Sequence, residues 1–402
     1  MVHDSGETLW RDEAVQRVRG LRESALGGLE SEAVALETIS GRTLAADILA
    51  ESDSPPSDFA TMDGYAFDAT EGYPYELSSH ETFPEDDPPA IEAGEAVPVA
   101  TGAPLPDGAN AVLKREEASV EDRQVEGPAI EPGTDTYEQG SNVREGEHLF
   151  SAGETLSPKD AIFLSDLGYG TVDVTRRFSV GVLATGTEIH EGRSRDLDSS
   201  MLTGLVRSWG HEATYVGSVP DEYDRVESRI AELADHHDAV LTTGGTSVGK
   251  KDYVVRALEA LGTVEFHRVR LRPGKPIVAA TLPDAVVFGI PGKPVGAHTA
   301  TTLIARPFFT DDSTLPTQEA TVSHDLAMGR DGFEYAVPVT VDGGVATPLG
   351  HADSPLAVYD TEFDPSVLSS STRASRADGF VLTTDALTAS EKVPVVPYSV
   401  IE

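Results

Sequence analysis

The 402-residue chain contains no cysteine, which excludes disulfides and thiolate metal sites and leaves oxygen or imidazole as the only metal ligands. It has no unbroken apolar run near the ~20 residues that span a bilayer. Its opening residues, MVHDSGETLW, are acidic and lack the basic-then-apolar pattern of a secretion signal. These absences point to a cytoplasmic protein with no membrane partner. Positive charge is also scarce: 30 Lys plus Arg face 68 Asp plus Glu, for a formal net charge of −38. Nucleic acid is therefore not expected as a partner, because its binding rests on neutralising phosphates. Such a surface repels itself at ordinary ionic strength and is screened at molar salt, where the Debye length falls to ~3 Å. The acids are spread along the chain among ordinary apolar patterns, so the composition predicts adaptation to a salty cytoplasm.

Scarcity makes the seven lysines informative. Lys250, Lys251, Lys275 and Lys293 fall within 44 residues, each in a Gly- or Pro-rich loop, where a cation can meet an anion. One of these loops, TTGGTSVGKKD (242–252), comes within a residue of a triphosphate loop. Gly244, Gly249 and Lys250 comply, but Lys251 stands where the metal-binding hydroxyl belongs. Glycines let backbone N–H groups approach an anion, and a following helix adds its positive N-terminal end. The loop therefore suits an oxyanion other than a hydrolysed triphosphate.

A chain of this length predicts two to four domains. Residues 8–24 space Leu9, Val15, Val18 and Leu21 as an amphipathic helix. Residues 157–168 read as a helix capped by Ser157, with Pro158 at its first position and Gly168 at its end. The expected division is a discontinuous N-terminal domain (1–50 and 140–176), a β-rich module (51–139), a doubly wound α/β domain (177–311) and a small C-terminal β-barrel (312–402). In 177–311, apolar runs at 178–184, 212–219, 238–243 and 285–290 alternate with helical patterns, which implies a mainly parallel sheet. Ligands bind such sheets at the carboxyl ends of the strands, where ATGTE, TTGGTSVGKKD and IPGKPVG converge. Beyond Asp311, short strands broken by Gly and Pro predict the barrel, with Gly343-Gly344 as a hairpin turn.

Each motif also has a plain structural reading. Asp252 could be a helix cap. The two Pro-Gly-Lys-Pro segments (273–276 and 291–294) could be exposed turns, although flanking prolines pre-order a lysine for anion binding. Asp63-Gly64 within MDGYA (62–66) signals a hairpin turn, TGAPLPDGANAV (101–112) could be turns alone, and His148 a surface imidazole.

Taken in order, MDGYA, TGAPLPDGANAV, ATGTEI, TGGTSVGKKDY, RPGKP and PGKPVGAH resemble the MoeA/gephyrin E-domain family, the molybdopterin molybdenumtransferases, over almost the whole chain. The resemblance implies a homodimer of four-domain subunits that inserts molybdenum from molybdate into adenylylated molybdopterin and releases AMP, with Mg2+ as cofactor. It also implies an adenylylating protein upstream and molybdoenzymes downstream. Carried over by position, Asp63, Glu188, Asp252 and Lys275 are the catalytic candidates: three carboxylates around the reacting metal and water, and a lysine on the oxyanion. Substrate contacts are implied for Thr101, Gly102, Thr185, Gly186, Asp198, Ser199, Gly244, Gly245, Thr246, Ser247, Gly249, Arg272, Pro291, Gly292, Lys293 and Pro294. Ligands of any metal are left unassigned.

The chain departs from the family pattern at His148 and Thr187, where acids are usual, at Ser200 and Lys293 (usually Asn), at Arg272 (usually Lys), at Gly296 (usually Ser) and at Ala336 (usually Arg). Losing acids while gaining Lys makes the crevice more cationic. A non-catalytic protein that stores or delivers molybdopterin or its metal-bearing product is therefore the alternative. Competence-damage-type amidohydrolases reuse the doubly wound domain but lack MDGYA and TGAP.

Overall fold

A computed structural model of the chain describes residues 8–88, 90–246 and 252–402. They form two compact units. One is Ser31–Thr175; the other joins the residues up to Glu30, including helix α1 (Arg11–Leu26), to Arg176–Glu402.

In the first unit, β1 (Gly64–Phe67) lies inside a six-stranded sheet with β2 (Tyr75–Leu77), β3 (Glu95–Val99), β4 (Ala111–Lys114), β5 (Ser119–Glu121) and β6 (Gln124–Glu126), in the order β4-β1-β3-β2-β6-β5. Successive residues of β1 face opposite sides. Ala66 packs with Ala60, Val99 and Val112, and Phe67 with Tyr75, Leu113 and Val125. The predicted hairpin at Asp63-Gly64 is not formed: Gly64 opens β1 and pairs with Lys114 and Val99. The glycine serves packing, since a Cβ there would run into the Leu113 carbonyl oxygen. Helix α2 (Asp160–Asp166) is preceded by a turn at Pro158 and Lys159, and the Asp160 carboxylate accepts both the Ser157 amide (2.6 Å) and hydroxyl (2.7 Å), tying the predicted cap residue to the first turn.

The second unit is built on a sheet of β7 (Ser179–Thr185), β8 (Glu212–Val219), β9 (Ala239–Thr243), β10 (Thr263–His267), β12 (Val278–Thr281) and β13 (Val286–Ile290). β11 (Leu271–Arg272) joins the barrel instead. The sheet order is β8-β7-β9-β13-β12-β10, with β8, β7, β9 and β13 mutually parallel and β12 antiparallel to both its neighbours, β13 and β10. Strands β9 and β13 are buried along their whole length, as expected for parallel strands covered on both faces. The covering helices are α3 (Ser199–Ser208), α4 (Tyr223–Ala234), α5 (Tyr253–Leu261) and α6 (Pro294–Ala300). Helix α1 buries Val15, Val18 and Leu21 in the same core. Its buried Arg22 donates to the carbonyls of Phe308 (2.7 Å) and Phe309 (2.9 Å), satisfying acceptors that a helix end leaves orphaned.

The C-terminal strands β14 (Gln318–Val322), β15 (Glu334–Asp342), β16 (Val345–Pro348), β17 (Gly379–Thr383) and β18 (Lys392–Pro397) close into a five-stranded barrel through the β15–β17 pairing. The Gly343-Gly344 turn forms between paired Asp342 and Val345 with φ of 53° and 79°, the left-handed conformation of a two-residue hairpin. β11 pairs in parallel with β15. Among the described residues no helix is long and apolar enough to cross a membrane.

Candidate functional site

The carboxyl ends of β7, β9 and β13 lie side by side and are tied by hydrogen bonds. The Thr185 hydroxyl donates to the Thr243 carbonyl (2.6 Å), and the Gly244 amide to the Ile290 carbonyl (3.0 Å). Gly244, Gly245 and Gly292 form a ridge between two cavities and line both. Gly244 and Gly245 sit at φ of 78° and 66°, and a Cβ on Gly245 would stand 2.6 Å from Val254 Cγ2. A Gly245→Ala variant is therefore expected to lose roughly 1–3 kcal/mol of stability. A denaturant midpoint equal to wild type would show that the loop relaxes freely.

The first cavity, about 410 Å³, is lined by Arg272, Lys275 and Lys293, by Thr246, Pro291 and Gly296, and by Ser366 and Ser369 from beyond the barrel's first strands. No Asp or Glu is among the described residues lining it. Lys275 Nζ lies 5.3 Å from the Phe333 ring centroid and Arg272 Cζ 4.5 Å, so both cations pack against one aromatic ring. Burial, then Arg268, Arg272, Arg330 and Arg270, push the Lys275 ammonium pKa below the usual lysine value. In so acidic a chain, this concentration of cations is a local inversion of the surface charge. Lys293 Nζ donates to the Ser366 carbonyl (2.9 Å), so part of its donor capacity is already used.

The second cavity, about 260 Å³, is lined by Thr185, Gly186, Glu188, Asp198 and Asp221. Asp196, rather than Asp198, caps α3: its Oδ1 accepts the amides of Asp198 (3.1 Å) and Ser199 (3.0 Å). Asp198 Oδ1 and Ser199 Oγ are left buried with no hydrogen-bond partner among the described residues. Burial, aided by Asp196, pushes the Asp198 carboxyl up to about 6. Asp198 also borders a more apolar hollow of about 350 Å³, together with Met201, Pro294 and Val295.

Asp221 was not singled out from sequence. It follows Pro220 at the end of β8, a position that the strand-end rule for doubly wound sheets could have flagged. Its amide donates to the Thr187 hydroxyl (2.9 Å). An acid is thus present beside Thr187, where the family pattern carries one.

Asp252 occupies the N-cap position of α5, yet its side chain makes no capping bond. Its buried Oδ1 has no partner among the described residues, and burial pushes the carboxyl up to about 7 against the opposing pull of Arg268. A plain helix cap would show neither property. Ser247 and Gly249, with Lys250 and Lys251, lie outside the described residues.

In the other unit, Asp63 and Thr101 meet directly. Asp63 Oδ1 accepts the Thr101 hydroxyl (2.7 Å) and amide (2.7 Å), and these bonds hold the carboxyl below its ordinary value. The Gly102 amide donates to the Ala60 carbonyl (2.7 Å) at φ 85°, turning the loop back on itself. His148 is an exposed imidazole 3.6 Å from Asp47, and Ala336 is buried in β15.

This geometry has counterparts among known proteins. A family model described as "MoeA N-terminal region (domain I and II)" matches residues 11–168, and one described as "Probable molybdopterin binding domain" matches residues 181–311. The molybdopterin molybdenumtransferase of Bacillus subtilis is 30% identical over 317 residues, covering 74% of this chain and 73% of that protein. That of Synechococcus elongatus is 30% identical over 309 residues, covering 71% and 77%. The crystal structure of the molybdopterin biosynthesis MoeA protein from Pyrococcus horikoshii superposes with a TM-score of 0.76 at 26% identity, covering 98% of this chain and 99% of that one. Two domain matches in order, full-length structural likeness and these two relatives agree, and the chain belongs to the MoeA family of molybdopterin molybdenumtransferases.

Proposed function

We propose that this protein is an enzyme of molybdenum cofactor biosynthesis that inserts molybdenum from molybdate into adenylylated molybdopterin and releases AMP. The observation that carries this reading is the cavity of Arg272, Lys275 and Lys293, with no acid among the described residues lining it, in a chain of net charge −38. Such a pocket suits a tetrahedral dianion, which Lys275 and Arg272 would bind and orient through charged hydrogen bonds. The adjoining glycine ridge lets backbone amides approach the substrate's phosphates. Asp252, with its carboxyl near 7, is poised to hold or release a proton at neutral pH. Asp63 and Thr101 enter this reading on the resemblance alone.

Magnesium fits the second cavity. Asp198 Oδ1 is an orphaned buried oxygen beside Glu188 and Asp221, and Mg2+ typically takes one or two carboxylates and keeps its remaining waters. When bound, it would supply charge neutralisation at the substrate's pyrophosphate. A homodimeric, salt-adapted, cytoplasmic enzyme that takes its substrate from an adenylylating protein and supplies molybdoenzymes completes the proposal.

The test is incubation of the pure protein with adenylylated molybdopterin, molybdate and Mg2+ in molar KCl. Molybdate-dependent AMP release is expected. Retention of the pterin without AMP would instead identify a binding or delivery protein. Repeating the assay with tungstate establishes which metal is preferred. Sedimentation in the same buffer should give twice the monomer mass, with dimer and fold both lost as salt is removed.

A further inference from the structure

We propose that His324, His351 and Asp353 bind a single divalent transition-metal ion of the Zn2+ or Co2+ type. The inference is independent of the catalytic reading, and none of the three residues lines either cavity described above.

The juxtaposition follows from barrel topology. β14 and β16 are parallel neighbours, pairing Thr321 with Val345 and Val322 with Ala346. Residues just past the ends of both strands therefore emerge on the same rim. His324 comes two residues after β14, and His351 and Asp353 lie in the turn beyond β16. The Ser323 amide donates to the Ala346 carbonyl (3.0 Å) and fixes the first loop, while the Ser354 amide donates to the His351 carbonyl (2.9 Å) and fixes the second.

The donors converge. Ser323 Oγ lies 2.7 Å from His324 Nδ1 and orients that ring, the kind of outer contact that aims a metal-ligating imidazole. Its Nε2 then faces Asp353 Oδ2 at 3.0 Å, and His351 Nδ1 lies 3.9 Å from the same oxygen. One donor atom from each of the three residues falls within 4.8 Å of the other two. With metal–ligand bonds of ~2.0–2.2 Å, neighbouring ligands of one ion stand roughly 3–3.5 Å apart. The 3.0 Å separation already fits, and the 3.9 Å one closes by a small swing of the Asp353 side chain, which is 70% exposed. His351 Nδ1 now accepts the Asp353 amide at 3.2 Å, a long contact that ligation would replace.

A simple ion pair accounts for less. It would explain His324 against Asp353, but not why a second, buried imidazole stacks on the first with centroids 4.1 Å apart at 25°. The donor set of two imidazoles and one carboxylate favours borderline ions over Mg2+ or Ca2+, which prefer oxygen alone. The exposed carboxylate gives an ion access from solvent, and water would complete the shell.

The probe is Co2+ added to chelator-treated, full-length protein in molar KCl, where weak surface binding is screened. Wild type should show a visible d–d band that saturates at one equivalent, is displaced by Zn2+, and accompanies a raised unfolding temperature. His324→Ala and Asp353→Ala, both at solvent-accessible positions, should fold as wild type and lose the band and the temperature shift. Equal Co2+ spectra and stoichiometry in wild type and both variants would overturn the proposal, as would the absence of any band in wild type.

Discussion

Asp252→Asn is expected to retain pterin and anion binding while AMP release falls by roughly two orders of magnitude or more, the usual scale for loss of a positioned acid–base group. The amide preserves the shape and burial of the side chain but holds no titrating proton. Stability carries a second signature. The unfolded carboxyl ionises near ~3.9, whereas burial moves the folded value up to about 7. Between those values the folded chain holds a proton that the unfolded chain has released, so stability falls as pH rises through that window and levels off above it. The asparagine variant should lose this slope and exceed wild type in stability above pH 7. Denaturant midpoints from pH 5 to 8 read the slope, and the AMP assay reads the chemistry. Unchanged turnover would reduce Asp252 to the first residue of a helix.

Lys275→Ala should raise the molybdate requirement about 5- to 150-fold, the equivalent of ~1–3 kcal/mol for a charged hydrogen bond. Lys293→Ala should do less, because that ammonium already donates to the Ser366 carbonyl. Burial and the surrounding arginines lower the Lys275 pKa, so molybdate affinity should decline with rising pH before the ordinary lysine range of ~10.4 is reached. Titrating molybdate dependence against pH for both variants separates the two lysines. Equal effects at 275 and 293 would mean that only the general field of the cavity matters.

The parallel half of the α/β sheet was legible because β7, β9 and β13 are short apolar runs, each followed by a Gly-containing loop. The antiparallel half was not. Strand β10 reads TVEFH and β12 reads VAAT, too polar or too bland to stand out, and only the pairing of β12 with β13 and of β10 with β12 makes them strands. The cationic loops were legible from lysine scarcity alone. Asp221 was missed because a lone acid after a proline is common in so acidic a chain; it gains meaning only once Thr187 and Glu188 stand across from it. The hairpin expected at Asp63-Gly64 failed for a related reason: the glycine answers to the Leu113 carbonyl of a neighbouring strand, a contact 49 positions away that no local turn rule contains.

The two-residue strand before Pro273 hydrogen-bonds to the barrel, not to the neighbouring α/β sheet. The arginine and lysine of the cationic cavity therefore hang from a seam. Ser366 and Ser369, far past Asp311, share that cavity's wall with Arg272 and Lys275, so the final ninety residues are part of the cavity and not a detachable appendage.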